Sequence, residues 1–201
     1  MSYYRAPVLD RYVAAINKRW PHRDHTSDGW IGDKAHQARV SDHNPDYTSR
    51  PPGVVRAEDV DNNGPHMPTL IAGSILHPST HYVIYQTTIW TSEDQFRPRH
   101  YTGVAHVEHE HESIKKGTEN YTQRWPLIET VPAWGAGVKK GAKGPASREC
   151  QAYLVAYRYS IVVDGDFGPS SDAALRKFQK AHKLVVDGIA GPKTLAKMRT
   201  A

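Results

Sequence analysis

The residue types best suited to chemistry are concentrated in the run His106-Val107-Glu108-His109-Glu110-His111-Glu112-Ser113. In an extended strand side chains alternate between two faces, so His109 and His111 project to the same side and can reach one point in space. Neutral imidazole is a common zinc ligand, and a catalytic zinc site takes three protein ligands and leaves a fourth position to water. One strand cannot supply that shell, and an isolated H-x-H is also compatible with a solvated, charged edge strand. A second cluster upstream shifts the balance: Ser41-Asp42-His43-Asn44-Pro45-Asp46, then Gly53-Val54-Val55-Arg56-Ala57-Glu58-Asp59-Val60-Asp61. There a polar loop carrying His43 precedes an apolar strand carrying Asp59. One His, one Asp and a later His make an open zinc site.

The elements that must position these residues are legible in the apolar pattern. Pro7 to Trp20 reads as a helix with Leu9, Val13 and Ile16 on one stripe, ended by Pro21. Val54 to Asp61, Tyr82 to Gln86 and Thr88 to Thr91 read as strands, and Thr69 to Leu76 as a short helix stopped near Pro78. His106 to Ile114 alternates His and Glu where an ordinary strand alternates apolar and polar residues, so function is the better explanation for it. The expectation is an α+β catalytic domain over 1–131 with a small, mainly antiparallel sheet.

Composition supports a second domain. The chain is 38% hydrophobic and 23% charged, with a net charge of +5. Eleven of the 12 histidines precede residue 112; from Gly137 onward 12 Lys or Arg face 5 Asp or Glu, a charge of +7 against −2 for residues 1–136. A stretch rich in Gly, Ala and Lys over 132–143 is expected to be a linker. Beyond it Val162-Val163-Asp164-Gly165-Asp166-Phe167-Gly168-Pro169 recurs 23 residues later as Val185-Val186-Asp187-Gly188-Ile189-Ala190-Gly191-Pro192. In each copy Asp-Gly supplies a tight turn and Gly-Pro starts a helix. With a helix over Ser147 to Tyr157, residues 144–201 are expected to be a small all-α domain of three helices.

Both parts resemble known families. Ser41-x-His43, Ala57-x-Asp59 and the residues ending in His111 resemble the S-x-H, A-x-D and E-x-x-H or H-x-H signatures of zinc D-alanyl-D-alanine peptidases and their lysostaphin-like and hedgehog-like relatives. The string Ser41-Asp42-His43-Asn44-Pro45 with Gly53-Val54-Val55-Arg56-Ala57 is similar to catalytic domains of bacteriophage endolysins. The resemblance, over residues 26–113, implies one zinc ion per chain held by His43, Asp59 and His111. The loop Asp46 to Pro52 is an insertion relative to the family pattern, which keeps Asp61 as an alternative to Asp59. It also implies a general base, and both Glu108 (through E-x-x-H) and His109 (through H-x-H) satisfy the pattern. Strand alternation favours His109 facing the metal, whereas Glu108 would need a bend; Glu108 is nevertheless placed first, because the resemblance implies a carboxylate as the usual base in the peptidase branch. Ser41 would support the ligand loop, and Arg39 or Arg56 would hold a substrate carboxylate or developing oxyanion, with a structural ion pair as the competing role. Residues 143–198 resemble the three-helix peptidoglycan-binding module of many cell-wall hydrolases. In that module Tyr157, Tyr159, Asp164 and Asp166 are candidates for wall contact.

The reading that follows is a phage endolysin: a zinc peptidase hydrolysing stem or cross-link peptides of bacterial peptidoglycan. A zinc N-acetylmuramoyl-L-alanine amidase and a non-catalytic wall-binding protein are the alternatives. A monomer is expected, bound to peptidoglycan and not to nucleic acid, with no membrane insertion since no run of about 18 apolar residues exists. The N-terminus lacks the apolar core of a secretory signal, so synthesis in the host cytoplasm and action at the wall after release are expected. H-E-x-x-H and Gly-rich phosphate loops are absent, and Cys150, the only cysteine, lies beyond the linker and reads as a buried helix residue.

Overall fold

A computed structural model describes residues 2–32, 38, 40–132, 134, 135 and 137–200. The front part is built on a five-stranded, fully antiparallel sheet in the order β3-β7-β4-β5-β6. Its strands are β3 (Ala57–Asp61), β4 (Thr80–Gln86), β5 (Thr88–Thr91), β6 (Arg99–His100) and β7 (His106–Ile114). A parallel pair, β1 (Tyr4–Arg5) with β2 (Val54–Val55), precedes it. The expected strand over Val54 to Asp61 is split at Arg56, whose N–H donates to the Asp42 carbonyl while its own carbonyl still accepts from Ile114 N.

Helices α1 (Pro7–Arg19) and α2 (Met67–Leu76) lie against the core. Proline opens both helices, where its missing N–H costs nothing. In α1 the buried face is Val8, Leu9, Tyr12, Ala15 and Ile16; Tyr12 takes the place expected of the half-buried Val13. The reason is polar as well as apolar, because the Tyr12 hydroxyl donates to Glu110 Oε2 on the sheet at 3.0 Å. Helix α2 is buried on nearly every side, and Gly73 explains how. A Cβ there would stand 2.6 Å from the Pro126 carbonyl oxygen, so only glycine lets the segment bearing Trp125, Leu127 and Ile128 close over it.

Register explains the unusual composition of β7. Asp59 stands opposite His111 and Asp61 opposite His109, while Glu58 faces Glu112 and Val60 faces Glu110. One side of the strand thus carries His109, His111 and Ser113, and the other presents Glu110 and Glu112 to the helices. Both glutamates are buried: Glu112 accepts from Thr80 Oγ1 at 2.8 Å, and Glu110 from Tyr12. Burial pushes the Glu112 carboxyl up to about 8 and that of Glu110 well above the usual range, and two such neighbours resist being ionised together. Each is thereby held in its neutral form near neutral pH.

The second part contains α3 (Pro145–Ala156), α4 (Pro169–Ala181), α5 (Pro192–Met198) and a two-stranded pair of β8 (Val138–Lys139) with β9 (Ile189–Ala190). Strand β8 falls inside the stretch expected to be a linker, and Trp134 in that stretch is buried with its Nε1 donating to Glu149 at 2.9 Å. The sequence repeat has a structural counterpart. Gln151 accepts from Gly165 N and donates to Asp164 Oδ1 and the Asp166 carbonyl; Gln179 repeats this with Gly188 N, Asp187 Oδ1 and the Ile189 carbonyl. Gly165 and Gly188 adopt φ of +81° and +73°, which other residues would strain to reach. Cys150 is buried, its thiol pushed up by that burial.

The two parts share one contiguous core. Helix α2 packs on α3, the Trp90 indole donates to the Val155 carbonyl at 3.0 Å, and Thr69 and Tyr153 share a hydrogen bond at 3.3 Å. No described helix is long and apolar enough to cross a membrane. Because Trp90 is fully buried at this junction, Trp90→Ala is expected to cost about 3–5 kcal/mol. Urea unfolding followed by circular dichroism and by fluorescence should give one coincident transition, displaced as a whole in the variant. Two separate transitions, only one of them displaced, would contradict a shared core.

Candidate metal centre

Four histidines and one aspartate meet on the face of the sheet away from α1 and α2. Asp59 comes from the edge strand β3, His109 and His111 from its neighbour β7, and His43 from the loop that folds over them. His111 Nδ1 lies 3.0 Å from Asp59 Oδ1, His43 Nε2 3.3 Å from the same oxygen, and the two imidazole nitrogens 3.1 Å apart. Tetrahedral zinc with bonds of about 2.0–2.1 Å needs its ligand atoms about 3.3 Å apart. The donor set and its spacing fit such an ion. Asp61 is not in this group: it accepts from Ser27 N and Oγ and from Asn63 N, holding the segment before the ligand loop against β3.

The loop is fixed from several sides. Ser41 Oγ accepts from His43 N at 3.3 Å and the Ser41 carbonyl closes a turn with Asn44 N. Asp42, which the sequence reading did not single out, accepts from Ser113 Oγ at 2.5 Å and from Tyr82, so it ties the loop to β7 and β4. The Tyr82 ring stacks on His111 with centroids 5.3 Å apart. A backbone hydrogen bond to Trp30 orients His43, the kind of outer contact that fixes a ligating imidazole. Gly29 pairs with Asp59 across the free edge of β3 and completes the frame.

Electrostatics follow from burial and this pairing. Burial would raise the Asp59 pKa, but hydrogen bonds from His111 and His43 outweigh it and hold the carboxyl well below the usual carboxylate range. Burial opposes protonation of His43, yet its hydrogen bond to Asp59 leaves the imidazole pKa raised. His111, the more enclosed ring, has its pKa lowered by burial despite Asp59. The group is one carboxylate with two imidazoles that protonate unequally.

The other candidate residues separate clearly. His109 Nε2 stands 3.7 Å from Asp59 Oδ1 and its side chain is 26% exposed, against 7% for His43 and 6% for His111. It borders the group on its solvent side. Glu108 is exposed, and its backbone carbonyl, not its carboxylate, is tied into the frame, accepting from Asn62 N and Ser27 Oγ. Arg56 takes the ion-pair role: Nε donates to Glu119 at 2.5 Å, Nη1 to Asp46 at 2.8 Å and Nη2 to Ser49 at 2.5 Å. Its guanidinium is thus occupied in fastening the inserted loop, away from the imidazoles. Arg39 lies outside the described residues. His106, which the sequence reading left without a role, joins the cluster with its ring centroid 4.8 Å from His109 and 5.5 Å from His111. In the second part, Tyr157 donates to the Met198 carbonyl and Asp164 shapes a turn, so these two wall-contact candidates have internal partners.

Protons compete with a metal for the imidazole lone pairs. His43, being raised above the ordinary imidazole value of 6.5, is the first to be protonated as pH falls. Zinc affinity is therefore expected to drop about tenfold per pH unit below the His43 pKa, steepening as His111 joins, in a chelator-competition titration from pH 8 to pH 5. A pH-independent affinity would exclude imidazole ligands.

Residues 143–198 match the family model described as "Putative peptidoglycan binding domain". A 68-residue stretch is 38% identical to the zinc D-Ala-D-Ala carboxypeptidase of Streptomyces albus G, covering 32% of this chain and 27% of that protein. The chain thus spans about a quarter of the length of that relative. No solved structure matches the chain.

Proposed function

We propose that this protein is a zinc-dependent peptidase that hydrolyses peptide bonds of bacterial peptidoglycan, anchored on its substrate by residues 143–198. The observation that carries the reading is the convergence of His43 Nε2, His111 Nδ1 and Asp59 Oδ1 within 3.0–3.3 Å of one another. The family match of 143–198 supports the substrate class, and the name of the Streptomyces relative supports both the metal and the bond type. The phage endolysin role belongs to this proposal, carried by the resemblance of the Ser41–Arg56 motifs. So does action at the wall after release from the cytoplasm.

In this reading His43, Asp59 and His111 hold the ion, which supplies Lewis acidity toward a water molecule and a peptide carbonyl. His109 is the base. Its Nε2 borders the ligand group on the open side, where it accepts a proton from the attacking water and returns it to the leaving amine. Glu108 is left with a framing role through its carbonyl. Ser41 and Asp42 keep the loop seated so that His43 meets Asp59 without searching for it. The basic second part, at +7, is drawn toward anionic wall polymers by an attraction that salt weakens.

Turbidity loss of purified cell walls, with mass spectrometry of the released fragments, tests the assignment. His111→Ala should abolish hydrolysis together with tight metal retention. His109→Ala should keep the metal and lower kcat by about 10²–10⁴-fold, while Glu108→Gln stays close to wild type. New amino termini within the stem or cross-link, with a peptide stub left on the glycan, identify a peptidase; whole stem peptides released from a bare glycan would identify the amidase instead. The reverse ranking of His109 and Glu108 would make the carboxylate the base.

A further inference from the structure

His106 is the one member of the cluster to which the reaction assigns nothing. Strand alternation would set it on the Glu110 face of β7. The pairing with β4 is irregular there, passing from Tyr85↔Glu110 directly to Gln86↔His106. This bulge turns the His106 ring onto the side of His109 and His111, as bulges commonly re-aim a side chain next to a site. His106, His109 and Asp59 then offer one ligand atom each, all within 4.8 Å of one another. His106 Nδ1 contacts the Val104 carbonyl at 2.9 Å. A carbonyl only accepts, so Nδ1 carries the proton and Nε2 is left with its lone pair, the arrangement that second contacts impose on ligating histidines.

We propose that His106, His109 and Asp59 form a second divalent-cation site, sharing Asp59 with the first, whose filling withdraws His109 from proton transfer. The inference rests on the first site's assignment to His43, Asp59 and His111. A carboxylate has two oxygens and can bridge two ions. The second site is the weaker for two physical reasons. Its ligands are more exposed to competing water, and a second dication beside the first is repelled by it while sharing one negative charge. Occupied, it engages the lone pair on His109 Nε2 that would otherwise accept the proton. Excess zinc thus inhibits the enzyme that stoichiometric zinc activates.

The test is a calorimetric titration of the metal-free full chain with Zn²⁺, run beside wall hydrolysis at buffered free zinc. The wild type should take up two equivalents of unequal affinity, with hydrolysis rising across the first and falling across the second. His106→Ala, and His106→Asn as a milder variant, should take up one equivalent and lose the fall at high zinc. Saturation of the wild type at one equivalent, or a second equivalent that persists in both His106 variants, would overturn the proposal. His43→Ala separates the two readings, since it should lose only the tight equivalent. A tight equivalent surviving His43→Ala, with the weak one still dependent on His106, would overturn the first site's assignment and leave the second standing.

Discussion

The antiparallel register of β3 against β7 places Asp59 opposite His111, and the site depends on that single pairing. A slip of one residue would either put Glu58 or Val60 where Asp59 stands or turn each histidine toward the helices, because strand side chains alternate with period two. The register is held from both faces. On one, Asp59 accepts from His111 and His43, and on the other Glu58 pairs with Arg5 at 2.7 Å. The free edge of β3 is capped by Gly29, whose carbonyl accepts from Asp59 N at 2.5 Å.

That arrangement requires charged residue types in the interior. Glu110 and Glu112 lie in the layer between sheet and helices, where ionised carboxylates would be costly to bury. The fold accommodates them by holding them neutral and by giving each a hydroxyl donor, Tyr12 or Thr80. Burial raises the Glu58 carboxyl to about 8 even with Arg5 beside it. A polar inner layer behind the histidines keeps β7 from being a simple hydrophobic strand, and the Tyr12–Glu110 bond fixes how α1 lies on the sheet.

Much of this was legible in the sequence. The H-x-H run gave a strand whose limits are those observed, and the S-x-H and A-x-D clusters pointed to His43, Asp59 and His111, which the fold brings together. Local patterns carry such information because strand parity and turn residues are short-range. What could not be read depends on long-range partners. Asp61 and Asp59 are equivalent by parity, and only Ser27 and Asn63, which occupy Asp61, separate them. Arg56 is open to a substrate role or an ion pair by sequence, and only its distant partners Asp46 and Glu119 decide for the ion pair. His106 was hidden by a bulge that no local signal marks, and Asp42 by its neighbours in the ligand motif. The intervening stretch 132–143 read as a linker from its Gly and Lys content, although Trp134 and Val138 are buried. The Gln151 and Gln179 anchors of the repeat lie outside the repeated string itself, so the similarity of the two turns gave no hint of them.

The central claim is that one loop and two strands assemble a two-imidazole, one-carboxylate ligand set. X-ray absorption at the zinc edge, on the protein loaded with a single equivalent of zinc, reads that set directly. The account predicts a light-atom shell with nitrogen and oxygen at about 2.0–2.1 Å and the outer scattering of two imidazole rings, unchanged in His106→Ala, which leaves that ligand set intact. A shell of oxygens alone, or the loss of an imidazole ring in His106→Ala, would contradict it.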